Sequence, residues 1–421
     1  MIIRKIITLL FIALFSLSTY SQVSKQVKKD IDQLCSKKMM GRGYSFDGDK
    51  KADKYISGQL KKMGLQVSHH GFTFSTNTFE NEMEIIFEDK SLTPGEDFIL
   101  KPNSPSIKGK FKLKLLNANQ SNETLIEEIK KGKSNQILVF DEEEINRLEA
   151  KDKNHFYGFL NYLQSEKLGL CKAIIVQNCK KLTFSASQSQ AKLPFIQTTV
   201  SHLKNNSVIE FDIKATFKKN YRSQNIFAKI EGEQTDSFYI FTAHYDHLGS
   251  LGKNVYFPGA NDNASGTSFL LDLARYYSVN KPKHSIYFIF FSGEEIGLLG
   301  SKAFVNDEVL NLDNLKFLLN FDLLGTGEDG IQIVNSTIYK KEYAVLDSIN
   351  AESKLLKRLK RRGAACNSDH CPFHNNGAKS FFIYTLGGIQ AYHDVFDVPE
   401  TLPLTEFNDV KALITKFIEI N

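Results

Sequence analysis

Three apolar runs, Phe238–Thr242, Ile286–Phe291 and Leu315–Phe321, constrain the fold of this chain more than any other feature. A strand with one face in water alternates apolar and polar residues, whereas runs as dense as these belong to strands covered on both faces. Ser268–Tyr277, between the first two runs, reads as a helix. From Asn225 onward the alternation of strand and helix predicts an α/β fold: a mixed, mostly parallel sheet with helices on both faces. Each run ends in residues that carry chemistry. Ala243-His244-Tyr245-Asp246-His247 follows the first, Ser292-Gly293-Glu294-Glu295 the second, and Asp322 the third. Ligands of such sheets bind outside the carboxyl ends of the strands, so imidazole and carboxylate groups are expected together at one edge.

Two loops join them, Gly259-Ala260-Asn261-Asp262-Asn263-Ala264-Ser265-Gly266 and Gln390-Ala391-Tyr392-His393-Asp394. Imidazoles and carboxylates without thiolates suit a catalytic zinc site rather than a structural one. A pair of Zn2+ ions can be shared out, with His244 and Asp322 on one, Glu295 and His393 on the other, and Asp262 bridging. Such a pair positions a water between the ions. Neighbouring Glu294 and Glu295 should point apart, which makes Glu295 a ligand and Glu294 the base that moves the proton. Asp246 is expected to accept the other ring N–H of His244 and fix its tautomer. Taken singly these residues have plainer readings: an Asx turn for Asp262, a solvated helix start for the glutamate pair, ordinary strand-end polarity for Asp246 and His247. For His247 the plain reading is preferred.

In this order, His244-Tyr245-Asp246-His247-Leu248-Gly249, Gly259–Gly266, the segment from Ser292 to Ser301, Asn320-Phe321-Asp322 and Tyr392-His393 resemble the two-zinc aminopeptidases of peptidase family M28. The resemblance covers Asn225 to Thr401. Met40-Gly41-Arg42-Gly43 and Met63-Gly64-Leu65 resemble the start of that domain. It implies the same ligands, His244, Asp262, Glu295, Asp322 and His393, with Glu294 as base and Tyr392 as a helper for the oxyanion. Ser368-Asp369-His370 also recurs in the family near the substrate pocket; a loop histidine held by a carboxylate reads equally well. No Gly-x-Ser-x-Gly elbow supports a serine nucleophile.

Residues 93–218 hold strand-like runs at Ile137–Phe140, Ala173–Val176 and Pro194–Ile196 around a charged helical stretch, and none of the ligand clusters. They read as an inserted smaller α+β domain that weakly resembles the protease-associated domain. The peptidase domain then comprises residues 22–92 and 219–421. At the amino terminus Arg4 and Lys5 precede the apolar run Ile6–Leu17, and the small residues Thr19 and Ser21 occupy the −3 and −1 positions of a cut before Gln22, the pattern of a secretory signal peptide. The expected product is exported, periplasmic or extracellular, with no later membrane span. Of five cysteines, Cys171 and Cys179 are separated by a strand of ~26 Å and should not pair. Cys366 and Cys371 bracket a loop and are the expected disulfide. A formal charge of +5 with dispersed lysines and arginines is too mild for a nucleic-acid binder. The basic run Lys354–Arg362 reads as a solvated helix face.

The expected activity is hydrolysis of N-terminal peptide bonds in peptides or proteins. A carboxypeptidase, a glutaminyl cyclase and a non-catalytic binding protein are the alternatives. The absence of tryptophan argues against the cyclase.

Overall fold

The computed structural model describes residues 23–132, 135–165 and 169–420; the signal-peptide reading falls outside them. Eight strands form the larger sheet: β1 (Val67–Thr78), β2 (Thr216–Ile230), β3 (Gln234–His244), β4 (His284–Phe291), β5 (Leu315–Phe321), β6 (Ile331–Val334), β7 (Leu359–Arg361) and β8 (Ser380–Thr385). Their order is β1-β2-β4-β3-β5-β8-β6-β7. The central four, β4, β3, β5 and β8, run parallel, so their carboxyl ends share one edge.

Side chains of β3 and β4 divide between two cores because neighbours on a strand face opposite ways. Tyr239, Phe241 and Ala243 join Ile286, Phe288 and Phe290 in the first core, beneath helices α1 (Lys25–Leu34), α2 (Gly48–Lys62), α3 (Gly266–Val279), α5 (Lys340–Ser353) and α7 (Phe407–Ile420). Ile240, Ile289 and Phe291 face the second, with Phe304 of α4 (Leu299–Asn306) and Phe373 of α6 (His370–Asn375). This double coverage is what the apolar runs predict. The run Lys354–Arg362 is not helical: Lys354 ends α5 in a left-handed conformation, and Leu359–Arg361 pairs with β6 at the sheet edge. A three-residue strand leaves no periodicity to read, so a helix face was the wrong expectation.

The antiparallel pair β1 and β2 is the stalk of a second unit, since Thr78 and Thr216 face each other where the chain leaves and re-enters. That unit has its own eight-stranded sheet and its own core. Four strands, Ile107–Leu115, Gln136–Asp141, Ala173–Gln177 and Phe195–Thr198, run parallel at its centre. Met83–Phe87, expected with the peptidase domain, pairs with Val208–Ile213 in this second sheet. The insertion therefore starts about ten residues earlier than residue 93. Cys366 and Cys371 are disulfide-bonded, while Cys35, Cys171 and Cys179 are free and buried. Among the described residues no helix is long and apolar enough to cross a membrane.

Candidate metal centre

Register places the first ligands. His244 ends β3 level with Phe291, and Thr242 pairs with Asn320, which sets Asp322 at the same edge. His244 Nε2 lies 3.3 Å from Asp322 Oδ2 and 3.4 Å from Asp262 Oδ1. The other oxygen of Asp262 is 3.1 Å from His393 Nε2, which is itself 3.3 Å from Glu295 Oε2. Two ligand atoms on one tetrahedral zinc stand ~3.4 Å apart, so these separations fit the ion. Ligand atoms of His244, Asp262 and Glu295 lie within 4.8 Å of one another, as do those of His244, Glu294 and Asp322. All five expected ligands and Glu294 thus converge, with Asp262 reaching in both directions. Asp322 Oδ1 is buried without a hydrogen-bond donor among the described residues, as suits an oxygen meant for a cation.

Asp246 acts differently from the expectation. His244 Nδ1 is 3.2 Å from the Asp246 backbone carbonyl and 3.7 Å from its carboxylate, so the main chain is the nearer acceptor. The carboxylate accepts instead from Tyr44 Oη at 2.6 Å and from the backbone N–H groups of Glu294 and Glu295 at 3.3 and 3.4 Å. Asp246 therefore shapes the turn that presents both glutamates. His247, given the plain reading above, is buried with Nδ1 2.6 Å from Glu295 Oε1. It orients that carboxylate. A lone histidine at a strand end carries no sequence signal for this.

The loop bearing Asp262 is held from below. Arg42 is fully buried and donates to the carbonyls of Tyr245, Leu34, Pro258, Gly259 and Asp262 at 2.6–3.2 Å. The Asp397 carboxylate accepts the backbone N–H groups of Asn261 and Asp262 at 2.8 and 3.0 Å. Arg42 reaches this position only because Gly41 packs against the Gly249 carbonyl, where an added Cβ would come within 2.2 Å of oxygen. The Met40–Gly43 stretch matters through this buried guanidinium.

Electrostatics separate the two glutamates. Burial, reinforced by Asp369, Glu295 and Asp322 and opposed by His244, raises Glu294 well above the usual carboxylate range. Glu295 is equally buried and feels Asp262, yet its contacts with His247 and His393 bring it down to about 2. Burial thus favours a proton on Glu294, while the imidazole contacts favour the ionised form of Glu295. Burial likewise lifts Asp369 to about 7 and draws His370 down to about 4. His370 bonds the Ala365 carbonyl rather than a carboxylate, and Ser368 Oγ accepts from Asn320, whose amide oxygen takes the Thr242 hydroxyl. This chain of contacts braces β3, β5 and the Ser368 loop beneath the site.

A cleft of about 250 Å³ opens over these groups, walled by Leu323, Asn367, Phe382, Tyr384 and Tyr392. The Tyr392 ring stacks on His393 with centroids 4.0 Å apart, and the residue is 48% exposed at the rim.

Residues 225–418 match peptidase family M28. They form an M28 domain. Aminopeptidase YwaD of Bacillus subtilis is 30% identical over 241 residues, 53% of this chain and 50% of that protein. A probable zinc metalloprotease of Pyrenophora tritici-repentis is 38% identical over 110 residues, a quarter of each chain. The chain thus spans half or less of these relatives. Among solved structures, the zinc aminopeptidase BSAP of Bacillus subtilis superposes with a TM-score of 0.69 at 20% identity, covering 94% of both chains. A peptidase M28 precursor of Shewanella amazonensis gives 0.69 at 14% identity, covering 95% and 93%. This coverage extends the shared fold beyond the M28 domain into the insertion. The M28 domain explains the convergence of its five motifs, whereas Arg42 and Tyr44 precede it in the chain and reach its site from outside.

Proposed function

We propose that this chain is an exported zinc aminopeptidase that hydrolyses the N-terminal peptide bond of peptides or proteins with two ions in its site. The observation that carries the reading is Asp262, whose two oxygens face His244 on one side and His393 on the other. His244 and Asp322 would hold one ion and Glu295 and His393 the second. When bound, zinc supplies Lewis acidity to the scissile carbonyl and to the attacking water. Glu294 removes the proton from that water and hands it to the leaving amine, a task suited to a carboxyl that burial holds above its usual range. The Tyr392 hydroxyl, at the cleft rim beside His393, donates to the developing oxyanion. The aminopeptidase names of YwaD and BSAP support removal of single residues from a free amino terminus.

Glu294→Gln tests the assignment. Hydrolysis of aminoacyl chromogenic amides should fall by about 10²–10⁴ while zinc content stays at the wild-type value. Near-normal turnover would show that Glu294 is not the base. Free peptides should be cut and N-blocked ones spared; cleavage of N-blocked peptides from the other end would make the enzyme a carboxypeptidase. The export element rests on the Arg4 to Ser21 pattern, and the exported protein should begin at Gln22 by N-terminal sequencing.

A further inference from the structure

His244 and Asp322 are placed by the sheet itself, but Glu295 and His393 lie on loops, and one segment of the insertion holds both loops. Residues 180–191 contain no helix or strand and cross the M28 domain on its site side. At one end Lys181 Nζ donates to the Gln390 carbonyl at 2.8 Å and pairs with Asp394 at 3.3 Å, while the Phe184 backbone N–H donates to the His393 carbonyl at 2.8 Å. The Phe184 ring stacks on Phe257, with centroids 5.0 Å apart and 7° between planes. At the other end Gln188 Nε2 donates to the carbonyl of Ile296, the residue after Glu295, at 2.9 Å. Ala186 packs beside Ile296 against Tyr44, Phe74 and Tyr221.

These grips answer a local need. His393 has φ +55°, a conformation that a non-glycine residue keeps only when its surroundings impose it. Asp394 shapes that turn by accepting the N–H groups of Tyr392 and Phe396, and Lys181 offsets its buried charge.

We propose that the 180–191 segment is a positioning element of the metal centre, through which the insertion sets the affinity of the ion held by Glu295 and His393 and leaves the ion held by His244 and Asp322 unaffected. The proposal rests on the two-ion reading. Lys181 and Gln188 are exposed, so the double variant Lys181→Ala/Gln188→Ala opens no core cavity.

Zinc titration against a competing chelator, on the full chain, provides the test. Wild type should bind two ions. The double variant should keep one at wild-type affinity and hold the other about tenfold more weakly, the scale of effect expected from groups that orient ligands. Activity should drop at limiting zinc and return in excess zinc. Lys108→Ala, an exposed insertion residue paired with Asp212, serves as a control that should change neither ion. Two ions held at wild-type affinity in the double variant, or both weakened alike, would overturn the proposal. A wild type that binds one ion would instead overturn the two-ion reading, a result seen without any substitution. Metal-free melting temperatures verify folding, and the single variants replace the double if it does not fold.

Discussion

The two halves of the proposed metal centre are built by different means. His244 and Asp322 stand at the ends of β3 and β5, where backbone pairing through Thr242 and Asn320 fixes their spacing before any side chain is considered. Glu295 and His393 lie beyond the sheet, and their positions depend on contacts from remote parts of the chain: Asp246 and His247 for the glutamate, Lys181 and Phe184 for the histidine. Asp262, between the halves, depends on Arg42 and Asp397. The strand-end half inherits the rigidity of the core. The loop half has only the rigidity that its supporting contacts supply.

The largest expected effects come from cutting each half in turn. On the two-ion reading, His244→Ala and His393→Ala should each remove about 4 kcal/mol of transition-state stabilisation, on the order of 10³ in kcat/KM, because either ion alone would leave the reaction incompletely assisted. The comparison is sharpened by the zinc each variant keeps. His393→Ala should retain one ion that resists chelator, held by the strand ends, whereas His244→Ala should retain one that chelator strips readily. Equal resistance in the two variants would break the distinction between the halves.

The same division governs what could be read from the sequence. The convergence of His244 and Asp322 at the strand ends was legible because dense apolar runs identify doubly covered strands, and parallel strands bring their carboxyl ends together. Asp262, Glu295 and His393 were legible as candidates for the same cluster through the motifs around them. Their supports were not. Four of the five carbonyls that Arg42 holds lie 203 to 220 residues away, and nothing near it in sequence separates a buried guanidinium from a surface one. His247 and Tyr44 have the same difficulty, and Asp246 was expected on the imidazole of His244 when its carboxylate serves the glutamate turn. The insertion boundary was misplaced for a related reason: Met83–Phe87 belongs with a strand some 120 residues later, a pairing that local pattern does not reveal.

Arg42→Lys asks how much the bridging position depends on its support. A lysine keeps the charge but has three donors on one nitrogen, and it cannot serve five carbonyls spread around a planar fork. At least two buried acceptors lose a charged partner, which should cost about 3 kcal/mol of stability by denaturant unfolding of the metal-free protein. On the two-ion reading both ions should also bind more weakly, since Asp262 would serve both. Wild-type affinity for both ions would mean that the Asp262 carboxylate does not depend on Arg42.

The smallest effect should come from His247→Ala, which separates orientation within the loop half from ligation. His247 touches Glu295 Oε1, whereas the oxygen nearest His393 is Oε2, so the substitution removes no ligand. It frees the carboxylate to rotate and withdraws a contact that helps to lower its pKa to about 2, making proton competition for the carboxylate stronger. The ion at Glu295 and His393 should weaken about tenfold at neutral pH. The deficit should grow as pH falls, because a less stabilised Glu295 takes up a proton at higher pH than before. The ion at His244 and Asp322 should be unchanged. Chelator titrations of wild type and variant at two pH values measure both effects, and a deficit independent of pH would restrict His247 to a steric role.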